Sequence, residues 1–175
     1  ICWHTYLGQI KVSPPPSRPT SPTLDHINLG DPFVVKHIIE LYWRLKQDGT
    51  DDTQLLLSYF EQIVDTAPLK AWQYDIVKLR CEGAKGATIA RELYTIHDRN
   101  LSPQSLSNSL RSIYRIIADW ATQAELEWDD RNDPTKWRKC SVCGQRKHVS
   151  PYHWHKGRNE CKVCRAEKRT AQKKT

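Results

Sequence analysis

Apolar residues recur at steps of three and four positions through residues 32–124, which is the period of an α-helix and not of a β-strand. The first periodic segment begins with Asp31 as a predicted N-cap and Pro32 at the first helical position, and it closes at Gly49. Its predicted inward face consists of Val34, Ile38, Leu41 and Leu45. The pattern therefore predicts an amphipathic helix that buries one side.

The next two segments continue the helical pattern. An Asp51/Gln54 capping pattern opens the second segment, and Pro68 ends it. The predicted inward residues of this segment are Leu56, Phe60, Ile63 and Ala67. The third segment closes at Gly83, and its predicted inward residues are Trp72, Ile76 and Leu79. Cys81 lies among apolar helical neighbours, so we expect it to be a small buried core residue.

Two further helices follow, one short and one long. The short helix is predicted at "TIAREL", and the stretch "YTIHDRNL" after it is predicted to be a loop. Its predicted inward residues are Ile89, Ala90 and Leu93. The long helix begins with Ser102 as cap and Pro103 at its first position. Its apolar seam is Leu106, Leu110, Ile113, Ile117, Trp120 and Ala124. No convincing strand pattern precedes residue 140, so this part of the chain is predicted to be all-α.

Proline-rich and polar stretches divide the chain. The segment "SPPPSRPTSP" holds five prolines in ten residues and predicts an extended linker, and "DDRNDPTKW" predicts a second one. The predicted organisation is a disordered or Pro-rich segment at 1–23, a helical support segment at 24–67, a helix-turn-helix at 68–128, a linker at 129–136, and a zinc module with a basic tail at 137–175. The chain starts with Ile and contains no Met, so we expect a truncated or unusual start.

The short helix followed by the capped long helix predicts a helix-turn-helix, in which the second helix enters the DNA major groove. The side of the long helix that faces away from its apolar seam is rich in Ser, Asn and Gln instead of Glu and Lys. Asn and Gln pair with adenine, Arg pairs with guanine, and a free helix start binds phosphate. The predicted DNA contacts are Ser102, Gln104, Ser105, Ser107, Asn108, Arg111, Ser112 and Arg115. The alternative is an inert or protein-docking helical bundle.

The stretch "LKAWQYDIVKLRCEGAKGATIAREL" resembles the fourth conserved region of bacterial sigma factors and their solo relatives. The matching elements are "LR" at 79–80, "EG" at 82–83 and "IAREL" at 89–93, and their spacing matches without a gap. The resemblance covers residues 69–120 and implies a helix-turn-helix with DNA or bacterial RNA polymerase as partner. The chain departs from the family in its longer loop before Ser102, and in having Lys85 and Gly86 where the family prefers a capping Ser or Thr.

The whole arrangement, with its C-terminal four-cysteine module, is similar to uncharacterised regulators of phages and prophages of Gram-positive bacteria. A complete sigma factor also needs an aromatic, basic helical region that melts promoter DNA. Residues 24–67 are short and acidic and do not resemble such a region, so a free-standing sigma factor is not expected.

Two C-x-x-C pairs lie seventeen residues apart, at Cys140, Cys143, Cys161 and Cys164. Four thiolates at this spacing are typical of one tetrahedral zinc ion (Zn²⁺), and a module this small needs metal to fold. We expect a zinc ribbon or treble clef, with a hairpin in 145–159 whose core is Val149, Tyr152 and Trp154, and a basic helix at the second pair. A disulfide or redox use, another metal, and replacement of one Cys ligand by His153 or His155 remain alternatives. We also expect that loss of Cys161 unfolds this module and spares the helices.

Charge separates the module from the rest of the chain. Residues 136–175 contain thirteen Lys or Arg and two acids, a net charge of +11, whereas the other residues contain fourteen basic and eighteen acidic side chains, a net charge of −4. This asymmetry predicts a polyanion partner, and neutralised phosphates make binding fall steeply with salt. The predicted phosphate contacts are Lys147, Lys156, Arg158, Lys162, Arg165, Lys168 and Arg169.

The histidines of the module raise a nuclease alternative. His148, His153, His155 and Asn159 supply the residue types of a zinc-stapled nuclease of the HNH or endonuclease VII kind. Because the catalytic ββα unit needs more room than the interval between the cysteine pairs, we expect these histidines to face solvent or phosphate and the protein not to be an enzyme.

The sequence as a whole predicts a sequence-specific regulator of transcription that binds double-stranded DNA. No apolar run approaches the roughly 18 residues that span a membrane, and no signal peptide is visible, so we expect the cytoplasm of a bacterial host. The alternatives are a sigma-like factor that docks on RNA polymerase and the zinc-stapled nuclease.

Overall fold

The computed structural model describes residues 27–172, so the predictions for residues 1–23 lie outside the described residues. The described helices and strands are α1 (Pro32–Asp48), α2 (Asp51–Thr66), α3 (Ala71–Cys81), α4 (Gly86–His97), α5 (Pro103–Asp129), a 3₁₀ turn (Pro134–Lys136), β1 (Trp137–Lys139), β2 (Arg146–His148) and α6 (Lys162–Gln172). A helical region is thus followed by a small C-terminal segment that holds the four cysteines, as predicted.

Side-chain caps set the starts of three helices. The Asp31 carboxylate accepts a hydrogen bond from the Phe33 N–H at 2.8 Å, and Ser102 Oγ accepts one from the Ser105 N–H at 3.1 Å, which confirms both predicted caps. The predicted cap of α2 was wrong by one residue. Thr50 and not Asp51 is its N-cap, because the Thr50 hydroxyl accepts from the Thr53 N–H and leaves Asp51 in the first turn. An acid in the first turn is favourable beside the positive end of the helix dipole.

Helix α5 is the centre of the helical core. It contacts α1, α2, α3 and α4, and its residues Ile113, Ile117, Ala118 and Ala121 have no exposed surface. The predicted seam is confirmed at Leu106, Ile113, Ile117 and Ala124, and Leu110 and Trp120 pack against the core while partly exposed. The long helix therefore buries its seam against the rest of the bundle.

The inward face of α1 is rotated from the predicted one. Val35, Ile38, Ile39 and Tyr42 are buried, whereas Leu41 is 39% exposed and Val34 and Leu45 are only partly buried. The reason is that α1 contacts α2, α3 and α5 together, which buries a wider strip than a single seam.

A similar shift occurs in α3, where Gln73, Ile76, Val77 and Cys81 are buried and Trp72 and Leu79 only partly so. Cys81 is buried as predicted, and this burial raises the pKa of its thiol to about 12.

Helix α4 is longer than predicted and shortens the loop before α5. It continues to His97, so only residues 98–101 separate it from the Ser102 cap. The His97 Nε2 atom lies 2.6 Å from the Asp75 carboxylate, which ties the last turn of α4 to α3. Asp98 adopts a left-handed conformation with φ of 51°, and the Asp98 and Arg99 N–H groups cap the carbonyls of Tyr94 and Leu93. The predicted loop "YTIHDRNL" is therefore half helical.

The hairpin of the module lies elsewhere than predicted. Strands β1 and β2 pair antiparallel, with Trp137 opposite His148 and Lys139 opposite Arg146. The hairpin thus begins before residue 140 and encloses the first C-x-x-C pair, because the cysteine knuckle itself makes the turn. Trp154 is buried as predicted, but Val149 is 44% exposed and Tyr152 is only partly buried.

We expect the substitution Ile117→Ala to lower the free energy of unfolding by about 2–5 kcal/mol, because Ile117 is fully buried and the truncation leaves a cavity. The control Leu126→Ala alters the same helix at a side chain that is 48% exposed and is expected to change stability by no more than about 0.5 kcal/mol. Urea unfolding followed by circular dichroism measures both. Equal effects of the two variants would contradict the central position of α5.

Candidate metal centre and nucleic-acid interface

The four cysteines converge on one point, although they come from two separate parts of the chain. Cys140 and Cys143 lie on the turn between β1 and β2, Cys161 precedes α6, and Cys164 lies in its first turn. Their Sγ atoms all lie within 4.8 Å of one another, and the Cys140 and Cys164 Sγ atoms are 4.0 Å apart. An isolated bridge pairs Trp154 with Cys161, and the Ser141 N–H donates to the Asn159 carbonyl at 3.0 Å, so the second pair lies alongside the turn of the hairpin.

This arrangement fits a tetrahedral metal ion such as zinc. Metal–sulfur bonds of about 2.3 Å place the sulfurs of a tetrahedral site roughly 3.8 Å apart, close to the separations found here. Cys140, Cys161 and Cys164 are buried, whereas Cys143 is exposed, so one side of the cluster faces solvent. Four cysteines without a disulfide among them therefore form a donor set that could hold one metal ion.

Backbone N–H groups support thiolates at this site. The Val142 N–H and the Cys161 N–H both donate to Cys140 Sγ, at 3.4 and 3.3 Å. Burial acts to raise the pKa of the Cys140 thiol, but the backbone N–H groups of Cys143, Cys161 and Val142 outweigh it and lower this pKa to about 6. Burial and the neighbouring thiols raise the pKa of Cys164 to about 12. The cluster therefore already favours negative charge at one of its sulfurs.

Two hydrogen-bonded pairs hold the module against α5. His153 Nε2 lies 2.5 Å from Glu127 Oε1, and the Gln123 Nε2 group donates to the same Glu127 oxygen at 2.8 Å. His148 Nε2 lies 2.9 Å from Asp130 Oδ2, and its Nδ1 lies 3.3 Å from Gln123 Nε2. These five residues, Gln123, Glu127, Asp130, His148 and His153, are called the α5 joint below. Gln123, Glu127 and His148 are each 6% exposed and are shielded from water, whereas Asp130 and His153 are partly exposed.

Aromatic rings extend the α5 joint. The Trp120 ring lies 5.0 Å from the Tyr152 ring and 6.4 Å from the His153 ring, and its Nε1 donates to Thr66 Oγ1 at the end of α2. Trp137 Nε1 donates to the Asp130 carbonyl at 2.9 Å. Residues 129–136, predicted as a linker, therefore contain the end of α5 and a 3₁₀ turn with contacts to the module.

The expectation that the histidines face solvent or phosphate was wrong for His148 and His153. Both are paired with carboxylates of α5, and only His155 among the module histidines is exposed. Sequence reasoning missed Gln123, Glu127 and Asp130 because the histidines that they contact lie 18 or more positions away along the chain. Their spacing of four and three residues on one helix face was the only available signal.

The electrostatics of the α5 joint favour an ionised Glu127. Burial acts to raise the pKa of this carboxyl, but hydrogen bonds from His153 and Gln123, with the nearby imidazoles, lower it below the ordinary value. Because the folded-state pKa of Glu127 is lowered, the Glu127–His153 pair stabilises the folded protein at pH values above the ordinary pKa of a glutamate. This stabilisation is lost as the pH falls through the folded-state pKa of Glu127.

The predicted base-contacting residues share one exposed side of α5. Ser102, Gln104, Ser105, Ser107, Asn108, Arg111, Ser112 and Arg115 are all exposed. Some of their polar groups bond locally: Gln104 donates to Asn108 at 3.4 Å, and Ser102 Oγ caps the helix. The structure thus brings the whole set together at the start of one helix.

A groove adjoins this exposed side and was not predicted. Its volume is about 860 Å³, and Ser107, Arg111 and Arg115 line it together with Phe33 and Lys36 of α1. Phe33 is 71% exposed, so an apolar ring and several cations border the same opening.

Most of the predicted phosphate contacts are on the module surface. Lys156, Arg158, Lys168 and Arg169 are exposed, and Lys162 and Arg165 are partly exposed. Loss of hydration and, after it, nearby cations lower the pKa of the His155 imidazole. These cations are Arg165, Lys162, Arg169 and Arg158. Lys168 also pairs with Glu160 at 3.0 Å. Lys147 is 7% exposed and lacks the surface position that its predicted phosphate contact requires.

Comparison with protein-family models, curated proteins and solved structures found no match to the chain. Within residues 27–172, no helix combines the length and apolar character that crossing a membrane requires.

We expect one metal ion per folded chain, bound by the four cysteines, and we expect Cys161→Ser to abolish its stoichiometric retention. The matched control Cys81→Ala removes a buried thiol that lies outside the cluster and should keep the metal. Elemental analysis of gel-filtered protein measures both. Equal metal content in the two variants would rule out the four-cysteine site.

Because the module packs on α5, we also expect Cys161→Ser to reduce the helical circular-dichroism signal in part.

Proposed function

We propose that this protein is a sequence-specific DNA-binding regulator of transcription, in which α4 and α5 form a helix-turn-helix and the cysteine module binds zinc. The observation that carries the proposal is the exposed side of α5 near its start, where small hydroxyl groups, amides and guanidinium groups occupy positions that packing does not require. Such groups suit the edges of base pairs in the major groove.

The packing around the turn supports a helix-turn-helix. Helices α4 and α5 are in contact and are joined by only four residues before the Ser102 cap. A Cβ atom at Gly86 would lie 3.5 Å from the Leu106 side chain, so the starts of the two helices approach closely. The exposed polar side of α5 begins next to this contact, which leaves it available to a duplex in the proposed complex.

The module supports phosphate binding. Its first cysteine pair lies in a hairpin turn and its second pair at the start of α6, an order typical of a treble clef. Arg158, Lys162, Arg165 and Arg169 all act to lower the pKa of His155, and Lys162 and Arg165 directly follow the cluster residues Cys161 and Cys164 in the chain. Each phosphate they neutralise makes binding weaken with salt, with a log–log slope of about −0.9 per contact.

Docking on bacterial RNA polymerase is the second candidate function. The specific observation in its favour is the groove between α1 and α5, where the exposed Phe33 ring and Arg111 offer apolar and charged contacts to a protein. The nuclease alternative gains no such support, because His148 and His153 are paired with carboxylates within the α5 joint.

The first test is selection from a random duplex pool with the metal-loaded chain, followed by sequencing of the bound fraction. An enriched motif is the expected result. Binding without enrichment would contradict sequence-specific recognition and would favour targeting through polymerase.

We expect Arg111→Ala and Lys162→Ala to act differently on the enriched duplex. Loss of a base contact by Arg111→Ala should cost about 1–3 kcal/mol for the preferred sequence and little for random DNA, whereas Lys162→Ala should weaken both similarly and reduce the salt slope by about one. Arg44→Ala, which removes a charge stacked on Trp43 of α1, is the matched control and should change neither. Titrations by fluorescence anisotropy at several salt concentrations measure these effects. Equal losses on random DNA from Arg111→Ala and Lys162→Ala would contradict the proposed division of roles.

A further inference from the structure

The metal module is attached to α5 by more than the chain connection. The α5 joint places two imidazoles against two carboxylates and an amide, and the Trp120–Tyr152 contact covers one side of it. Separating buried hydrogen-bonded groups costs free energy, because each group is left without a partner. Few other orientations of the module would keep all these bonds. The module is therefore held in one orientation relative to α5.

The position of the α5 joint on the helix has a defined relation to the exposed polar side. Gln123 follows Ser112 by about three helical turns, so the two side chains project toward nearly the same side of α5. The core residues Ile113 and Ile117 project to another side and are fully buried. Glu127 projects between these two sides, and Trp120 of the apolar seam contacts Tyr152 of the module. The module therefore lies at the border between the polar side and the core side of α5.

The distance between the two regions is set by the helix. Glu127 lies roughly 28 Å beyond Asn108 along α5, at about 1.5 Å per residue. One turn of duplex DNA is about 34 Å, or roughly 10 base pairs. The polar start of α5 and the α5 joint that holds the module are thus separated by a distance comparable to one turn of a duplex.

We propose that one molecule contacts a single DNA duplex in two places, with the start of α5 in the major groove and the metal module on backbone phosphates about one turn away. The α5 joint is the positioning element that fixes their separation. This inference rests on the proposed DNA-binding function and adds to it the length of DNA that one molecule engages.

Affinity for duplexes of increasing length tests the inference. Random-sequence duplexes of about 8, 12, 16, 20 and 24 base pairs range from less than one turn to more than two turns. With the full metal-loaded chain, we expect an increase of about tenfold or more in affinity per site once the duplex can hold both contacts. The salt slope should become steeper over the same interval, because more phosphates are neutralised. Contact by the module alone would instead give a gradual increase in proportion to the number of sites.

Variants of the α5 joint separate positioning from simple binding. Glu127→Ala and His153→Ala each remove one partner of the Glu127–His153 pair. Both variants should flatten the dependence of affinity on duplex length. Their affinity for the shortest duplex and their metal content should stay near those of the parent. Glu127→Gln keeps an acceptor for His153 and should restore part of the increase. Asp129→Ala removes the same charge from an exposed position at the end of α5 and should keep the full increase.

The outcomes distinguish this inference from the function on which it rests. Absence of duplex binding at every length would overturn both the proposed function and the two-place contact. Binding without a length-dependent increase, or an increase unchanged in both Glu127→Ala and His153→Ala, would overturn the two-place contact alone. If both variants lost the metal, hydroxyl-radical footprinting of DNA bound to the parent chain would still test the two-place contact. One short protected DNA segment would contradict the proposal, and two protected segments about one turn apart would support it.

Discussion

The burial of one side of α5 is the constraint on which the rest of the structure depends. Ile113 and Ile117 have no exposed surface, and α1, α2, α3 and α4 all pack against this helix. The same 27-residue helix then continues past the bundle and receives the metal module at Glu127. The helix contains no proline after its first residue, so it lacks the commonest cause of a helix kink. The bundle and the module are therefore organised around one rigid element.

The metal module depends on a different source of stability. Its buried cluster consists of three cysteines and Trp154, which is too little apolar surface to fold a unit of this size. A bound metal ion would supply most of its folding free energy, and the contact with α5 would supply its orientation. The helical region and the module thus differ in what folds them, although they share the α5 joint. Independence of the two parts, which the sequence suggests, does not fit their shared buried contacts.

The division of charge follows the division of structure. The module carries most of the excess positive charge, whereas the helical region is slightly acidic apart from the start of α5 and the groove beside it. In the proposed function, the polar side chains near the start of α5 need directional hydrogen bonds to base edges, whereas the cations of the module need only proximity to phosphates. The polar side chains lie at one end of α5, and the module that carries the cations packs against the other end. The proposed function follows from this arrangement and not from a relative of known function.

The sequence by itself determined the local features of this protein. The Asp31 and Ser102 caps, the five helices of the bundle, the seam of α5 and the four cysteines were all predictable, because each depends on residues close together in the chain or on short-range periodicity. Tertiary structure alone decided the rotation of α1, the extra turn of α4 held by His97 and Asp75, the burial of Lys147 and the pairing of His148 and His153 with α5. These features depend on which distant surfaces meet, and a hydrogen bond between residues far apart in the chain leaves no periodic signal in the sequence.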